Sequence, residues 1–280
     1  MKKLSVVLVA ASMAMALSAC AQTGSEDVAV SSEVVASSET SSEAASSEAS
    51  SEASTEVSSE VAQEGEVAVM TYEEYAAAAL DTEVVVETYV QAKQSWWEDK
   101  ATLYTQDENG AYFIYEMACS AEDYEKLTVG TKIRVTGYKS EWAGEVEIID
   151  GTFEIIEGNY VAEAEDMTAL LGSEELINHQ NKLVSFKGMT VEASKDANGN
   201  DVAFLYNWDG SGEDGNDLYF NASVNGATYN FTVESYLCDN TTDVYAAVKN
   251  LQIGDTIDME GFLYWYEGVN PHITSVTVVQ

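Results

Sequence analysis

Positive charge is scarce in this 280-residue chain: 12 Lys and Arg stand against 49 Asp and Glu, a formal net charge of −37. Binding to a phosphate backbone draws much of its free energy from Lys and Arg neutralising phosphates. The balance therefore argues against nucleic acid as a partner and favours cations, neutral ligands or basic surfaces, unless the acidity serves solubility alone. Proline is nearly absent, with Pro271 alone, and histidine is limited to His179 and His272. A lone histidine at either place reads as a structural residue. No zinc-type His/Cys spacing, nucleophile elbow or phosphate loop occurs. Carboxylates this numerous single out no acid–base pair, so no catalytic residue is assigned and no enzyme is expected. Cysteine is limited to Cys20, Cys119 and Cys238.

Long apolar runs are also rare. The one present, Leu4 to Leu17, follows Met1-Lys2-Lys3; it is shorter than the roughly 20 residues of a spanning helix and fits the core of a signal peptide. It closes in Leu17-Ser18-Ala19-Cys20, which resembles the lipobox of bacterial lipoproteins. That resemblance implies a diacylglycerol on the Cys20 thiol and cleavage just before it. Residues 1–19 are then a signal peptide, and the mature chain is anchored firmly by two acyl chains outside the cytoplasm. From Ala21 to Glu66 there is no Lys, Arg, Pro or aromatic residue, and Ser-Ser-Glu-Ala phrases recur. Such a composition buries too little apolar surface to offset ordering entropy, so 20–66 is expected to be a lipidated cysteine followed by a disordered stalk. The stalk is similar in composition to those of Gram-positive surface lipoproteins. It takes 11 of the acidic residues and the signal takes two of the lysines, leaving 38 acidic against 10 basic residues in 67–280.

Residues 67–280 alternate in short bursts rich in Val, Ile, Thr and Tyr, a strand pattern. Thr82 to Lys93 and Lys182 to Ser194 read as long strands, and Asp107 to Gly110 as a hairpin turn. Ser120 to Asp123 opens a short helix with a capping-box pattern. The stretch Gly130 to Gly144 repeats at Gly254 to Gly268: Gly130, Gly137 and Gly144 match Gly254, Gly261 and Gly268, while Ile133 and Val135 match Ile257 and Met259 as inward positions. Each copy follows a short helix ending Leu-x-[Val/Ile]-Gly and precedes a final strand, so tandem domains are expected. In this order the sequence resembles the OB-fold, a five-stranded barrel with a helix between its third and fourth strands. The resemblance implies a mostly β protein of two tandem OB-fold-like barrels: 67–160 with an N-terminal helix, and 161–280 with a long insertion from Asp196 to Ser223. Cys119 and Cys238 precede the two helices at matching places, which suggests separate cores, although an exported pair could also be bridged.

Aromatic residues carry the ligand expectation. Trp96 and Trp97, Trp142, Trp208 beside Tyr206, and Tyr264-Trp265-Tyr266 fall at strand ends or loops where OB barrels hold ligands. Flat rings with Asn207 and Asp209 nearby suit sugars, and the competing reading is that they close barrel ends. Asp196 to Asp201 and a denser oxygen cluster of Asp209, Glu213, Asp214 and Asp217 are candidate calcium loops, because hard cations take many oxygens in a glycine-bent loop. Lys132, Arg134 and Lys139 read as an outward basic stripe near Trp96, Trp97 and Tyr138, without counterpart in the second copy. The expected function is a membrane-anchored binding or assembly module for a glycan or another surface protein. The alternatives are a single-strand nucleic-acid binder or nuclease accessory, and a purely structural interaction module.

Overall fold

The computed structural model describes residues 68–279. Cys20, the lipobox and all but the last residues before the first barrel lie outside the described residues. A short helix α1 (Tyr72–Ala77) precedes β1 (Glu83–Lys93), β2 (Lys100–Gln106), β3 (Ala111–Ala118), α2 (Ala121–Lys126), β4 (Thr131–Trp142) and β5 (Glu145–Asn159). These five strands close in the order β1-β2-β3-β5-β4, with β3 and β5 parallel and the other pairs antiparallel. A connector with β6 (Glu165–Asp166) and two 3-10 turns leads to β7 (Leu183–Glu192). His179 ends the second of these turns. Then come β8 (Ser194–Lys195), β9 (Asp201–Val202), β10 (Leu205–Tyr206), β11 (Leu218–Val224), β12 (Ala227–Val233), α3 (Asp243–Lys249), β13 (Thr256–Phe262) and β14 (His272–Val278). β7, β11, β12, β14 and β13 close the second barrel with the same order and the same parallel pair, here β12 and β14.

The two barrels repeat each other in detail. α2 and α3 begin at side-chain caps, Ser120 accepting from the Asp123 amide and Thr242 from the Tyr245 amide. At Ser120 this is a single cap; the complete capping box is at Thr71 and Glu74 of α1. Leu127 and Leu251 are buried below the two helices. Gly130 and Gly254 follow at φ +88° and +94°, a backbone region that side chains disfavour. Ile133 and Val135 enter one core, Ile257 and Met259 the other. Gly137 and Gly261 sit at register shifts between the fourth and fifth strands of their barrels. There the strands approach so closely that a Cβ on Gly261 would overlap the His272 carbonyl, and one on Gly137 would overlap Ile148 and the Ile149 carbonyl. The motif is thus a folding device, the bulge letting a strand coil around a small barrel.

Cys119 belongs to the first core and Cys238 to the second, and both are free. The insertion is shorter than its sequence suggests. Leu218 to Val224 is the second barrel's own second strand, so the extra residues run from Ala193 to Asp217 and contain the small β8–β9 hairpin. α1 closes the end of the first barrel, with Tyr72 and Tyr75 edge-on to Tyr112. Lys139 is buried there: its Nζ donates to the carbonyls of Tyr75 (3.0 Å), Ala76 (2.9 Å) and Ala78 (2.8 Å), satisfying the end of α1.

Replacing Gly261 by Ala drives a methyl into the neighbouring strand, so unfolding in urea should show a loss of about 2–3 kcal/mol. A loss under about 0.5 kcal/mol would mean that the bulge has room for a side chain.

Candidate functional site

OB barrels bind along the face of their second and third strands and at the loops between strands 1 and 2 and strands 4 and 5. In the first barrel that face is occupied. Leu103 and Ile114 point into the barrel, while Tyr104 and Phe113 point out and form a buried cluster with Phe262 and Tyr264 of the second barrel. The Tyr104 ring stacks on Phe262 at 4.5 Å, and Phe113 meets Tyr264 edge-on at 5.2 Å. Tyr104 Oη and His272 Nδ1 lie 2.6 Å apart, and the His272 ring stacks on Tyr264. Gln106 Oε1 accepts from the Leu183 amide at 2.8 Å. Each large ring buried here contributes roughly 1.5–3 kcal/mol, so the two barrels hold firmly.

In the second barrel the equivalent face is open. Trp208 of the long β7–β11 loop, Tyr219 of β11, and Tyr264, Tyr266 and Asn270 of the β13–β14 loop line one cleft of ≈ 550 Å³. Trp208 is 76% exposed and Tyr266 46%, so two indole and phenol faces stand free to stack. Trp142, at the end of β4 of the first barrel, lies 5.1 Å from the Tyr266 ring and extends the aromatic surface. Asn270 Oδ1 accepts from Thr232, and the Asn270 amide donates to the Tyr264 carbonyl, which fixes the loop. Burial, with Asp217, Glu234 and Tyr266 nearby, pushes the Tyr219 hydroxyl up to about 12, so it remains a donor.

The aromatic candidates thus divide. Trp208, Tyr264 and Tyr266 come together with Trp142 against them. Trp265 turns from the cleft and packs on the second core, its ring against Gly144. Trp96 and Trp97 sit on the β1–β2 loop of the first barrel; the Trp96 indole donates to the Cys119 carbonyl at 2.9 Å, and neither lines the cleft. Tyr219 and Asn270 are cleft residues that the sequence reading missed. Their signal was their place in the repeat: the second strand and the loop between the last two.

The calcium candidates do not converge. Asp209 accepts from the Ser211 amide, Asp214 pairs with Lys249 and Asn240, and Asp217 accepts from the amide and hydroxyl of Ser235. The Glu213 amide donates to Asn216. Asp196 spends both oxygens on the Asn198 and Asn200 groups of its own turn. Among the described residues no three His, Cys, Asp or Glu side chains group as a metal site. The basic stripe is likewise corrected. Lys132 and Arg134 both bind Glu87, at 2.7 and 2.8 Å, and Lys139 is the buried cap of α1.

The joint between the barrels holds unusual acids. Burial pushes Glu145 up to about 8, and Glu147 and Glu234 up to about 7. Burial pushes His272 down to about 3, so it is neutral.

The strand order defines a tandem OB-fold-like protein. No family model and no curated protein matches the sequence. Solved structures similar to it include the Ifi202 HINa domain in complex with 20-bp double-stranded DNA, at 13% identity, with 72% of this chain and 97% of that chain covered and a TM-score of 0.32. A murine DNA-binding protein bound with double-stranded DNA is 10% identical over 70% of this chain and 96% of that one, TM-score 0.33. A replication protein A heterotrimer bound to single-stranded DNA is 10% identical over 76% and 52%, TM-score 0.30. All three are complexes with DNA, and net charge alone does not set nucleic acid aside as a partner of this chain. Net charge averages over a whole chain, whereas recognition is decided by the groups on one face.

A carboxyl held up by burial keeps its proton more tightly folded than unfolded. The contributions of Glu145, Glu147 and Glu234 are therefore complete below the usual 4.5 and are lost as pH climbs through 7 to 8. His272 acts in the opposite sense, complete above 6.5 and lost as pH falls toward 3. Three groups outweigh one, so thermal melts should peak at a pH of about 5 and fall steadily toward 8.5. A maximum at neutral pH or above would contradict the buried joint.

Proposed function

We propose that this chain is a non-catalytic binding module, held outside the cell by a lipid on Cys20 and a stalk over residues 21–66, that takes its ligand in the aromatic cleft of the second barrel. One observation carries the reading: the exposed faces of Trp208 and Tyr266 flank an open cleft on the face that OB barrels use. The ligand then presents flat rings in succession. A single nucleic-acid strand is the first class, since bases stack on aromatic rings whatever their sequence, at about 1–3 kcal/mol each. An oligosaccharide is the second, favoured by a cleft wall that holds an amide and no cation.

Titration of residues 67–280 with single-stranded oligonucleotides and with neutral oligosaccharides, each at low and high salt, tests the reading. Trp208→Ala and Tyr266→Ala should each weaken binding about tenfold or more, while Trp97→Ala should leave it unchanged. Binding that survives both cleft substitutions would place the site elsewhere. Saturable affinity for an oligonucleotide identifies the first class, and salt-insensitive affinity for a sugar the second. The anchor has its own test. Cys20→Ser removes the thiol that would carry the lipid, so the protein should move from the detergent phase to the aqueous phase on Triton X-114 partition. Retention with the detergent would refute lipidation at Cys20.

A further inference from the structure

Glu145 opens β5 and is 0% exposed. Its Oε2 accepts from the Trp265 backbone amide at 2.9 Å and from Gln180 Nε2 at 3.2 Å. Its Oε1 has no partner, nor has Oδ1 of buried Asn181, whose side chain lies against the same carboxyl. The Asn181 Nδ2 donates to the Val146 carbonyl, which fixes that amide's orientation. Two orphaned acceptors in a buried joint are costly. A single proton on the carboxyl supplies the missing donor, since a carboxylic acid both donates and accepts.

The position of this carboxyl matters for the cleft. Trp265 stands between Tyr264 and Tyr266, both cleft residues, and Glu267, just beyond them, donates its amide to the Ala143 carbonyl at 2.7 Å. Gln180 also donates to the Gly144 carbonyl at 2.8 Å. Glu145, Gln180 and the β4–β5 turn thus clamp the base of the β13–β14 loop to the first barrel. The titratable groups facing Glu145 are Glu147 on its own strand, Tyr75 of α1, Tyr104 of β2 and Tyr264 of the clamped loop, none of them a cation.

We propose that Glu145 is a positioning residue that works as the neutral acid, bracing the Tyr264–Tyr266 segment so that the shape of the cleft, and with it ligand affinity, depends on pH. This rests on the reading of the cleft as the ligand site. Ionisation leaves a charge buried in the joint with Glu147 beside it, and burial dominates whatever the Trp265 amide and the Asn181 and Gln180 side chains return. The carboxylate is then relieved only by water entering the joint, which loosens the loop it held.

Hydrogen exchange of the Trp265 amide, followed by NMR in the ligand-free protein from pH 6 to 9 and corrected for the intrinsic rate, reads the brace directly. In the wild type, protection should fall by up to about tenfold per pH unit once the acid ionises. Glu145→Gln keeps the shape, stays neutral and can donate to Asn181 Oδ1, so its protection should stay flat over the same range. Flat protection in the wild type, or an equal fall in Glu145→Gln, overturns the proposal. If that variant does not fold, the carboxyl ¹³C shift of Glu145 in the wild type decides: a neutral acid at pH 6 supports the brace and a carboxylate refutes it. No ligand enters these measurements. A brace that behaves as stated in a protein that binds neither strand nor sugar would refute the ligand reading alone.

Discussion

Tyr104 and Phe113 face away from the core of their own barrel, on strands whose outer side would otherwise lie open to water. The second barrel covers them with Phe262, Tyr264 and His272, and the chemistry of the whole joint depends on this contact. Large rings buried between two closed barrels strip water from the polar groups caught there, which turn to one another for partners. Tyr104 and His272 do so as a neutral pair. Glu145 meets the backbone of the neighbouring barrel instead. The acids of the joint are strongly perturbed because apolar packing has taken away their water.

The same contact assigns different roles to two copies of one fold. The first copy uses its β2–β3 face to hold the second, and its β4–β5 turn supports the neighbouring loop. The second keeps its face open, with the long β7–β11 connection bringing Trp208 to the rim. Acidic residues near that connection serve the loop itself: Asp209 and Asp217 cap local turns, and Asp214 ties the loop to Lys249 of α3. Cations are treated similarly. Lys132 and Arg134 share one glutamate, and Lys139 ends a helix. A stripe that looks basic in one dimension is spent on pairing in three.

The repeat was legible because its signals are local. A glycine that needs a left-handed backbone or a bulge must recur wherever the same turn recurs, so Gly130, Gly137 and Gly144 announced their partners. The inward positions were readable for the same reason. Harder to see was which outward residues meet another barrel. A trace of it existed in Ala111 to Ile114, an unbroken apolar run rather than an alternating one, as expected for a strand covered on both faces. The insertion was misjudged at its far end because Leu218 to Val224, though it alternates, follows a glycine-rich acidic loop that masks its start. Carboxylate density in Asp209 to Asp217 carried no information about convergence, since a loop's path decides whether its oxygens meet. The tryptophans divided for a similar reason: sequence marks a ring as lying near a strand end but not which way the loop turns.

Because one OB-type face is consumed in joining the barrels, a duplication that could have produced a two-handed molecule has produced a one-handed one. A polymer cannot run continuously from one barrel's groove to the next, as the first groove is filled by Phe262 and Tyr264. Under the function proposed above each chain then offers a single grip, and attachment to an extended polymer would come from many chains side by side, with the density of copies, rather than the reach of any one of them, setting the strength of the hold.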